Sequence, residues 1–345
     1  MKNKQIRKLL SVLLAATMAA SASATVWGAN SAPQDALPAA TDVAAASTMD
    51  KHGVTTDLVV KASSNEGIGY DIDGYRVDKN GVRYIYLFLS SKADMGAVNV
   101  TFSDGSTDTL DLTAPIDCNF DSGQYRIVAM QSDLPTLYLN IDESKGTIDA
   151  MNSDPSHDTK CKGEMLLDVP DKLVEQNGWD ASYASSDVTV KGRGNTTWGL
   201  PKKPYQIKLD SKQDILGMGK NKTWVLLANY GDRSLIRNKI AYDLANDLGM
   251  DYSPQSQFVD VFMNGQYLGN YQLSEKTEVG TNRVEINDLE DDTSGEITGG
   301  YLLEYDRLAY SEATLDEDIK KHFGFTWGIK DPLFPDLRTD GILCN

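Results

Sequence analysis

The chain has 345 residues, and its 33 Lys and Arg against 50 Asp and Glu give a formal net charge of −17. This acidic balance argues against nucleic acid as a partner, because phosphate backbones bind basic surfaces. The few histidines and cysteines stand in no zinc-ligand or serine-triad pattern, so we predict no metal ligands among them.

Residues 1–24 have the three parts of a cleavable secretory signal peptide. A basic start is followed by an apolar run from Leu9 to Ala20 and by small residues up to Ala24. The apolar run is shorter than the roughly 20 residues that a membrane-spanning helix needs, and we expect no integral membrane segment after cleavage. We therefore predict a secreted or extracellular-surface protein.

Residues 25–50 are rich in Ala, Ser and Thr, which predicts a flexible linker. Residues 51–132 then carry short β-branched and aromatic runs separated by turns, which predicts a small all-β sandwich. The residues Asp78 to Gly81 are typical of a hairpin turn, because Asn and Gly adopt positive φ at low cost. The predicted strands cover residues 57–61, 70–77, 82–89, 97–102 and 125–129.

Residues 133–345 have a mixed pattern that predicts an α+β domain. Apolar spacing indicates a helix from Ser234 to Leu248, ended by Gly249. The pair Asn264 and Gly265 predicts a second hairpin, between 258–263 and 267–273. Further strands are predicted at 137–141, 163–168, 188–195 and 205–209.

The three cysteines, Cys118, Cys161 and Cys344, leave at least one thiol unpaired in an exported protein. A bridge between Cys118 and Cys161 is compatible with the sequence, but the spacing does not establish it.

Residues 188–276 follow the order of parts in the small lobe of a protein kinase. A loop with Gly192 and Gly194 is followed by a strand that holds Lys208, then by a helix and by a hairpin that ends in Glu275 and Lys276. In kinases such a loop and lysine contact the phosphates of ATP. Many α+β domains share this order, so the order alone is weak evidence.

Literal motifs within residues 133–310 closely resemble the spore-coat CotH kinase family. They include the Arg-Gly-Asn loop at 193–195 and extend over 193–198, 202–209, 224–239, 264–269 and 273–276. The resemblance implies an atypical, protein-kinase-like domain that uses ATP and Mg²⁺ to phosphorylate Ser or Thr of surface or secreted proteins. Family members in fungi are associated with adhesion, so a non-catalytic adhesion or polysaccharide-attachment module that contacts a cell-surface component is the alternative.

The resemblance also implies which residues bind the nucleotide. Arg193, Gly194 and Asn195 fall in the phosphate loop. Lys208 is the first choice for the phosphate-contacting lysine. Lys203 is the second, with a solvated cation beside Pro204 as its alternative role.

Four residues further along the chain complete the implied site. Arg237 and Asn238 point either to the ligand or into a polar network. Glu275 and Lys276 lie where the family has its hinge. Asp232 has two structural alternatives, a salt bridge with Arg233 or a helix cap, and Trp198 and Trp224 are expected in the core.

The catalytic acids of the family are expected beyond Asn345. Phosphoryl transfer requires carboxylates that hold metal ions and orient the attacking hydroxyl, and in the family these lie in a Trp-Asp-Phe-Asp-type motif. After Asp306 the sequence contains no such motif. We therefore expect an incomplete kinase domain. The sequence is compatible both with a catalytically active chain and with one that only binds the nucleotide.

We predict that the exported protein begins at Thr25, because the small residues Ala22 and Ala24 fit a signal peptidase site. N-terminal mass spectrometry of protein recovered from the medium checks this, with Ala24→Arg as a variant that blocks cleavage. Recovered protein that still begins at Met1 would contradict the prediction.

Overall fold

The computed structural model describes residues 47–51, 61–62, 70–286, 302–306 and 326–331. The predicted signal peptide, most of the predicted linker and the predicted strand residues 57–60 lie outside the described residues. The chain divides into two units, residues 1–43 and residues 44–345, and every described residue belongs to the second.

Strands dominate the described part of the chain, including residues 51–132, for which the sequence predicted an all-β fold. The kinase-like α+β character predicted for residues 133–345 stays a prediction. The α-helices are α1 (Ile148–Ser153), α2 (Asp171–Asn177) and α3 (Arg237–Asp247). The strands are β1 (Ser47–Lys51), β2 (Lys61–Ala62), β3 (Ile72–Asp73), β4 (Tyr75–Lys79), β5 (Val82–Ser90), β6 (Val98–Thr101), β7 (Thr107–Leu110), β8 (Ile116–Phe120), β9 (Gly123–Ser132), β10 (Thr136–Ile141), β11 (Lys160–Asp168), β12 (Ser182–Gly192), β13 (Tyr205–Asp214), β14 (Lys220–Leu227), β15 (Ser256–Met263), β16 (Gln266–Glu275), β17 (Leu302–Asp306) and β18 (Thr326–Asp331).

Strands β1 to β9 form two sheets, in the orders β1-β8-β9-β5-β4 and β3-β2-β6-β7. Buried side chains of both sheets, such as Leu87, Ile127 and Val100, belong to one hydrophobic cluster. The hairpin turn predicted between β4 and β5 is confirmed, with Asn80 and Gly81 at positive φ. The sequence analysis missed β7, which is polar apart from Leu110, and β8, although Ile116, Cys118 and Phe120 alternate with polar residues there.

Strand β1 corrects the end of the predicted linker. Residues 47–50 were expected to be flexible, yet they pair in parallel with β8. Backbone hydrogen bonds to a neighbouring strand order this segment although it has little bulky apolar content.

Strands β10 to β16 close into a seven-stranded barrel in the order β10-β11-β12-β13-β14-β16-β15. The closing contact is a parallel pairing of β10 with β15, and all the other neighbours are antiparallel. Alternate residues such as Ile207, Leu209 and Trp224 point inward and are buried in one cluster. The barrel therefore has a packed interior, and a ligand has to bind on its outer face or at its ends.

Two predictions about this region need correction. The helix is shorter than expected, because Leu235 has a positive φ of 62° and the helix begins only at Arg237. Strand β14 was not predicted, so two strands rather than one separate the glycine loop from the helix. The turn at Asn264 and Gly265 is confirmed, as is the stop at Gly249, whose φ is 66°.

The two described cysteines are buried in different cores, and Cys161 is free. Cys118 belongs to the cluster of the two N-terminal sheets and Cys161 to the cluster of the barrel. The bridge between them that the sequence left open is therefore not formed.

No helix in the described part of the chain is both long and apolar enough to cross a membrane.

We predict that Gly163→Ala lowers the free energy of unfolding by about 1–3 kcal/mol. A Cβ at Gly163 would lie 2.8 Å from the Ile141 Cα and still closer to the Asn140 carbonyl oxygen, both backbone atoms of β10 that cannot move without opening the barrel. Urea denaturation measures the change. Gly199→Ala is the matched control, because a Cβ there meets nothing within 4 Å; equal losses in both variants would contradict the account.

Candidate functional site

The loop after β12 is anchored by the packing of a glycine against a tryptophan ring. A Cβ at Gly192 would lie 2.7 Å from Cζ2 of Trp198, so only glycine lets the ring close over the chain. The Trp198 Nε1 donates a hydrogen bond to the Asp154 carbonyl oxygen at 2.8 Å. Gly194 follows with a φ of 90°, and a Cβ there would collide with the Thr197 hydroxyl. The predicted core positions of Trp198 and Trp224 are confirmed.

Arg193 is the basic side chain that this loop holds in place. Its guanidinium is half-buried and faces Tyr242 of α3, and burial lowers the Arg193 pKa. Burial likewise raises the pKa of the Tyr242 hydroxyl. Among the described residues, no carboxylate pairs with the Arg193 side chain. A partly desolvated guanidinium without a carboxylate partner is a favourable site for an anion such as a phosphate, because its two parallel N–H donors can bind two of the anion's oxygens.

Lys203 lies beside the same loop. Its Nζ donates a hydrogen bond to the Trp198 carbonyl oxygen at 2.6 Å and lies 4.7 Å from the centre of the Trp198 ring. The alternative of a freely solvated cation is therefore wrong for Lys203. The Lys203 amine therefore lies at the Arg193 loop.

Lys208, the first choice from the sequence, lies further from the loop. It is exposed on the outer face of β13, in register with Thr189 and Thr223. The loop leaves the barrel at the pair of Gly192 and Tyr205. Three residues of strand separate Lys208 from that pair, about 10 Å. The structure therefore places the Lys203 amine on the Arg193 loop, at Trp198, and Lys208 further along β13.

Lys202 is a basic residue of this region that the sequence analysis missed. Its Nζ donates a hydrogen bond to the Asn270 carbonyl oxygen and lies 4.3 Å from the centre of the Tyr271 ring. Burial lowers the Lys202 pKa to about 8. The Lys202 side chain therefore lies against β16, with Asp260 as its charged neighbour.

Asp232 holds the start of α3. It accepts hydrogen bonds from the backbone N–H groups of Ser234 at 3.0 Å and Arg237 at 2.9 Å, and it lies 3.4 Å from the Arg237 Nε. The N-cap position is Ile236 rather than Asp232, but the Asp232 carboxylate accepts the N–H of the first helical residue, and its ionic partner is Arg237 rather than Arg233. The Arg237 side chain is 80% exposed and lies at the helix start.

Asn238 joins a polar network that fixes α3 on the outer face of the barrel. Its Nδ2 donates to the Asn229 Oδ1 at 2.8 Å, and the Asn229 Nδ2 donates to the Gln272 Oε1 at 2.9 Å. The Gln272 Nε2 in turn donates to the Ser256 Oγ at 2.8 Å. Of the two alternatives for Asn238, the polar network is the one that the structure contains.

Glu275 forms a buried ion pair with Arg283, which the sequence analysis missed. The Arg283 Nη2 donates to the Thr223 carbonyl oxygen at 3.1 Å, and its guanidinium lies 5.0 Å from the Trp224 ring centre. Burial raises the Glu275 pKa. Arg283 lies in a turn without an apolar pattern, so no sequence signal identifies it.

The predicted hinge pair is thus divided between two environments. The buried Glu275 carboxylate is paired with Arg283, whereas Lys276 pairs with Glu278 at 3.0 Å near the surface. Asn195 is exposed at the end of the Arg193 loop. The described residues contain no group of three or more His, Cys, Asp or Glu that could by itself hold a metal ion.

Residues 190–332 match the family model described as CotH kinase protein. The resemblance inferred from the motifs is confirmed over this segment, which begins in β12 and includes the Arg193 loop, α3 and the β15–β16 hairpin. No curated protein matches the chain.

We predict that Arg283→Met lowers the free energy of unfolding by about 3–5 kcal/mol, because it leaves the buried Glu275 carboxylate without a counter-charge. Lys276→Met is the matched control, since a surface pair contributes about 1 kcal/mol or less. Chemical denaturation of both variants measures the difference. A similarly small loss of unfolding free energy in both variants would show that the Glu275–Arg283 pair does not stabilise the fold.

Proposed function

We propose that this chain, which matches the CotH kinase protein family over residues 190–332, is an exported protein that binds Mg-ATP. We further propose that it transfers the terminal phosphate to Ser or Thr hydroxyls of surface or secreted proteins. The observation that carries the proposal is the half-buried Arg193 guanidinium, which has no carboxylate partner among the described residues and stands on an anchored glycine loop.

The residues present fit the phosphate part of the nucleotide. Arg193 would hold phosphate oxygens with two parallel N–H donors, and Lys203 would add positive charge beside the loop. Gly194, with its positive φ, keeps side-chain bulk away from the backbone there. These groups bind and orient a phosphate chain without proton transfer.

Magnesium bound with ATP would neutralise part of the phosphate charge. Mg²⁺ usually keeps several waters and takes only one or two protein carboxylates together with phosphate oxygens. A site of that kind needs no preformed cage of three acids. The resemblance implies that the catalytic acids lie beyond Asn345.

The order of elements supports a kinase-like reading of residues 182–275. The Arg193 loop, two strands, α3 and the β15–β16 hairpin follow one another in the chain, and β12 to β16 occupy one contiguous part of the barrel. In this proposal β12 to β16 with α3 form the nucleotide-binding half, and β10 and β11 complete the barrel. The two N-terminal sheets, which share one core, form the proposed β-sandwich, which precedes the barrel in the chain.

We predict that Mg-ATP raises the melting temperature of the chain, with a stabilisation of about 2.7 kcal/mol at 100 times Kd. Arg193→Ala is expected to weaken binding about 10- to 100-fold, because a charged hydrogen bond contributes about 1.5–3 kcal/mol. Thermal shift and titration calorimetry measure both effects. Lys162→Ala is the charge-matched control, since the exposed Lys162 side chain on β11 pairs with Asp187 of β12.

Lys208→Ala distinguishes the two lysines. If Lys203 is the phosphate-contacting lysine, Lys203→Ala weakens binding and Lys208→Ala does not. No shift with the unsubstituted chain would contradict nucleotide binding. Binding of envelope glycans without nucleotide, together with no label from γ-labelled ATP, would favour the adhesion alternative.

A further inference from the structure

The chain between β10 and β11 lies at the same end of the barrel as the Arg193 loop. This β10–β11 connection covers residues 142–159 and contains α1. The register that pairs Lys160 with Lys191 brings the start of β11 next to the end of β12, where the Arg193 loop begins. Met151 of α1 is buried in the hydrophobic cluster of the barrel. The connection is therefore packed on the barrel, beside the candidate phosphate site.

Two contacts join this connection to the strands on either side of the Arg193 loop. The hydroxyl of Tyr205, the first residue of β13, donates a hydrogen bond to the Asn152 Oδ1 at 3.0 Å. Near the end of β12, the Lys191 Nζ lies 3.7 Å from the Asp158 Oδ1. Burial raises the pKa of the Tyr205 hydroxyl to about 12, so this group remains a donor at neutral pH. A buried hydroxyl needs such a partner, and Asn152 supplies it.

A third contact reaches the middle of the loop. The Trp198 Nε1 donates to the Asp154 carbonyl oxygen at 2.8 Å, and the His157 ring lies edge-on to the Trp198 ring at 6.2 Å. The N–H is the only polar group of the Trp198 side chain, and the buried ring needs an acceptor for it. Because the ring closes over Gly192, the position of the Asp154 carbonyl affects the course of the chain at Arg193.

The side chain of Asp154 fixes the turn that presents this carbonyl. Its Oδ1 accepts hydrogen bonds from the N–H and the hydroxyl of Ser156, at 2.9 and 2.7 Å. Its Oδ2 accepts from the N–H of Asp158 at 3.0 Å, and from the N–H and the hydroxyl of Thr159 at 2.7 and 2.8 Å. These hydrogen bonds lower the Asp154 pKa, so the carboxylate is ionised at neutral pH. Turns of this kind are common in proteins, and the contact with Trp198 is what connects this one to the loop.

We propose that Asn152 and Asp154 are positioning residues that hold the Arg193 loop in the conformation that binds a nucleotide phosphate. The inference rests on the proposed function, because it requires a phosphate at Arg193. Both residues precede the segment 190–332 that matches the family model. They act through Tyr205 and Trp198 and do not contact the nucleotide, as outer residues do when they support a binding site.

Two measurements on the full chain test the inference at a temperature where melting curves show every variant to be folded. Hydrogen exchange of the amides of residues 193–200 without nucleotide measures how firmly the loop is held, and calorimetry measures the Kd for Mg-ATP. Asn152→Ala and Tyr205→Phe remove the same hydrogen bond from its two sides. Each is expected to speed loop exchange and to raise the Kd about 2- to 10-fold, the factor that one hydrogen bond contributes. Asn152→Asp keeps an oxygen acceptor for the Tyr205 hydroxyl and is expected to restore both values.

Asp154→Ala removes the turn and is expected to have at least as large an effect on both measurements. Asp111→Ala is the matched control, because the Asp111 carboxylate likewise accepts from the N–H and the hydroxyl of Thr113, in the loop between β7 and β8. Unchanged loop exchange in the Asn152, Tyr205 and Asp154 variants overturns the inference. Variants that bind Mg-ATP with the Kd of the unsubstituted chain also overturn it, and they leave the proposed function standing. An unsubstituted chain that does not bind Mg-ATP overturns the proposed function and this inference with it.

Discussion

The closure of the barrel by β10 and β15 is the constraint on which the rest of the structure depends. This parallel pairing joins Thr136 to Asp260 and turns an open sheet into a barrel with a packed interior. Every further element then has to use the outer face or the ends. The N-terminal sheets occupy one part of the outer face, where Phe88 stacks on Tyr267 at 4.0 Å, and α3 occupies another.

The same constraint determines where chemistry is possible. The interior is filled by side chains such as Trp224 and Leu226, so the candidate phosphate site lies where the β12–β13 loop leaves the barrel. Gly192 and Trp198 fix that loop, and Arg193 faces α3 as a result. An exported protein meets little ATP, because ATP is scarce outside the cytoplasm, so the proposed export restricts where the proposed reaction can occur. Phosphoryl transfer would then take place at a compartment boundary where ATP is supplied.

Local features of the fold were predictable from the sequence, and long-range features were not. Alternation at Ile207 and Leu209 predicts β13, and Asn264 with Gly265 predicts the hairpin, because each depends on neighbouring residues. Barrel closure depends on contacts across more than 120 residues, and no local pattern contains it. The choice of Lys208 over Lys203 followed motif spacing, whereas proximity to Arg193 depends on where the loop folds back.

The central claim is that the Arg193 loop binds the phosphates of a nucleotide, and labelling with an acyl-phosphate derivative of ATP tests it most directly. This reagent transfers a tag from the phosphate end to nearby lysine amines, and mass spectrometry identifies the tagged residue. The account predicts a tag on Lys203 that excess ATP suppresses. Tags spread over surface lysines, at the same level with and without excess ATP, would contradict it.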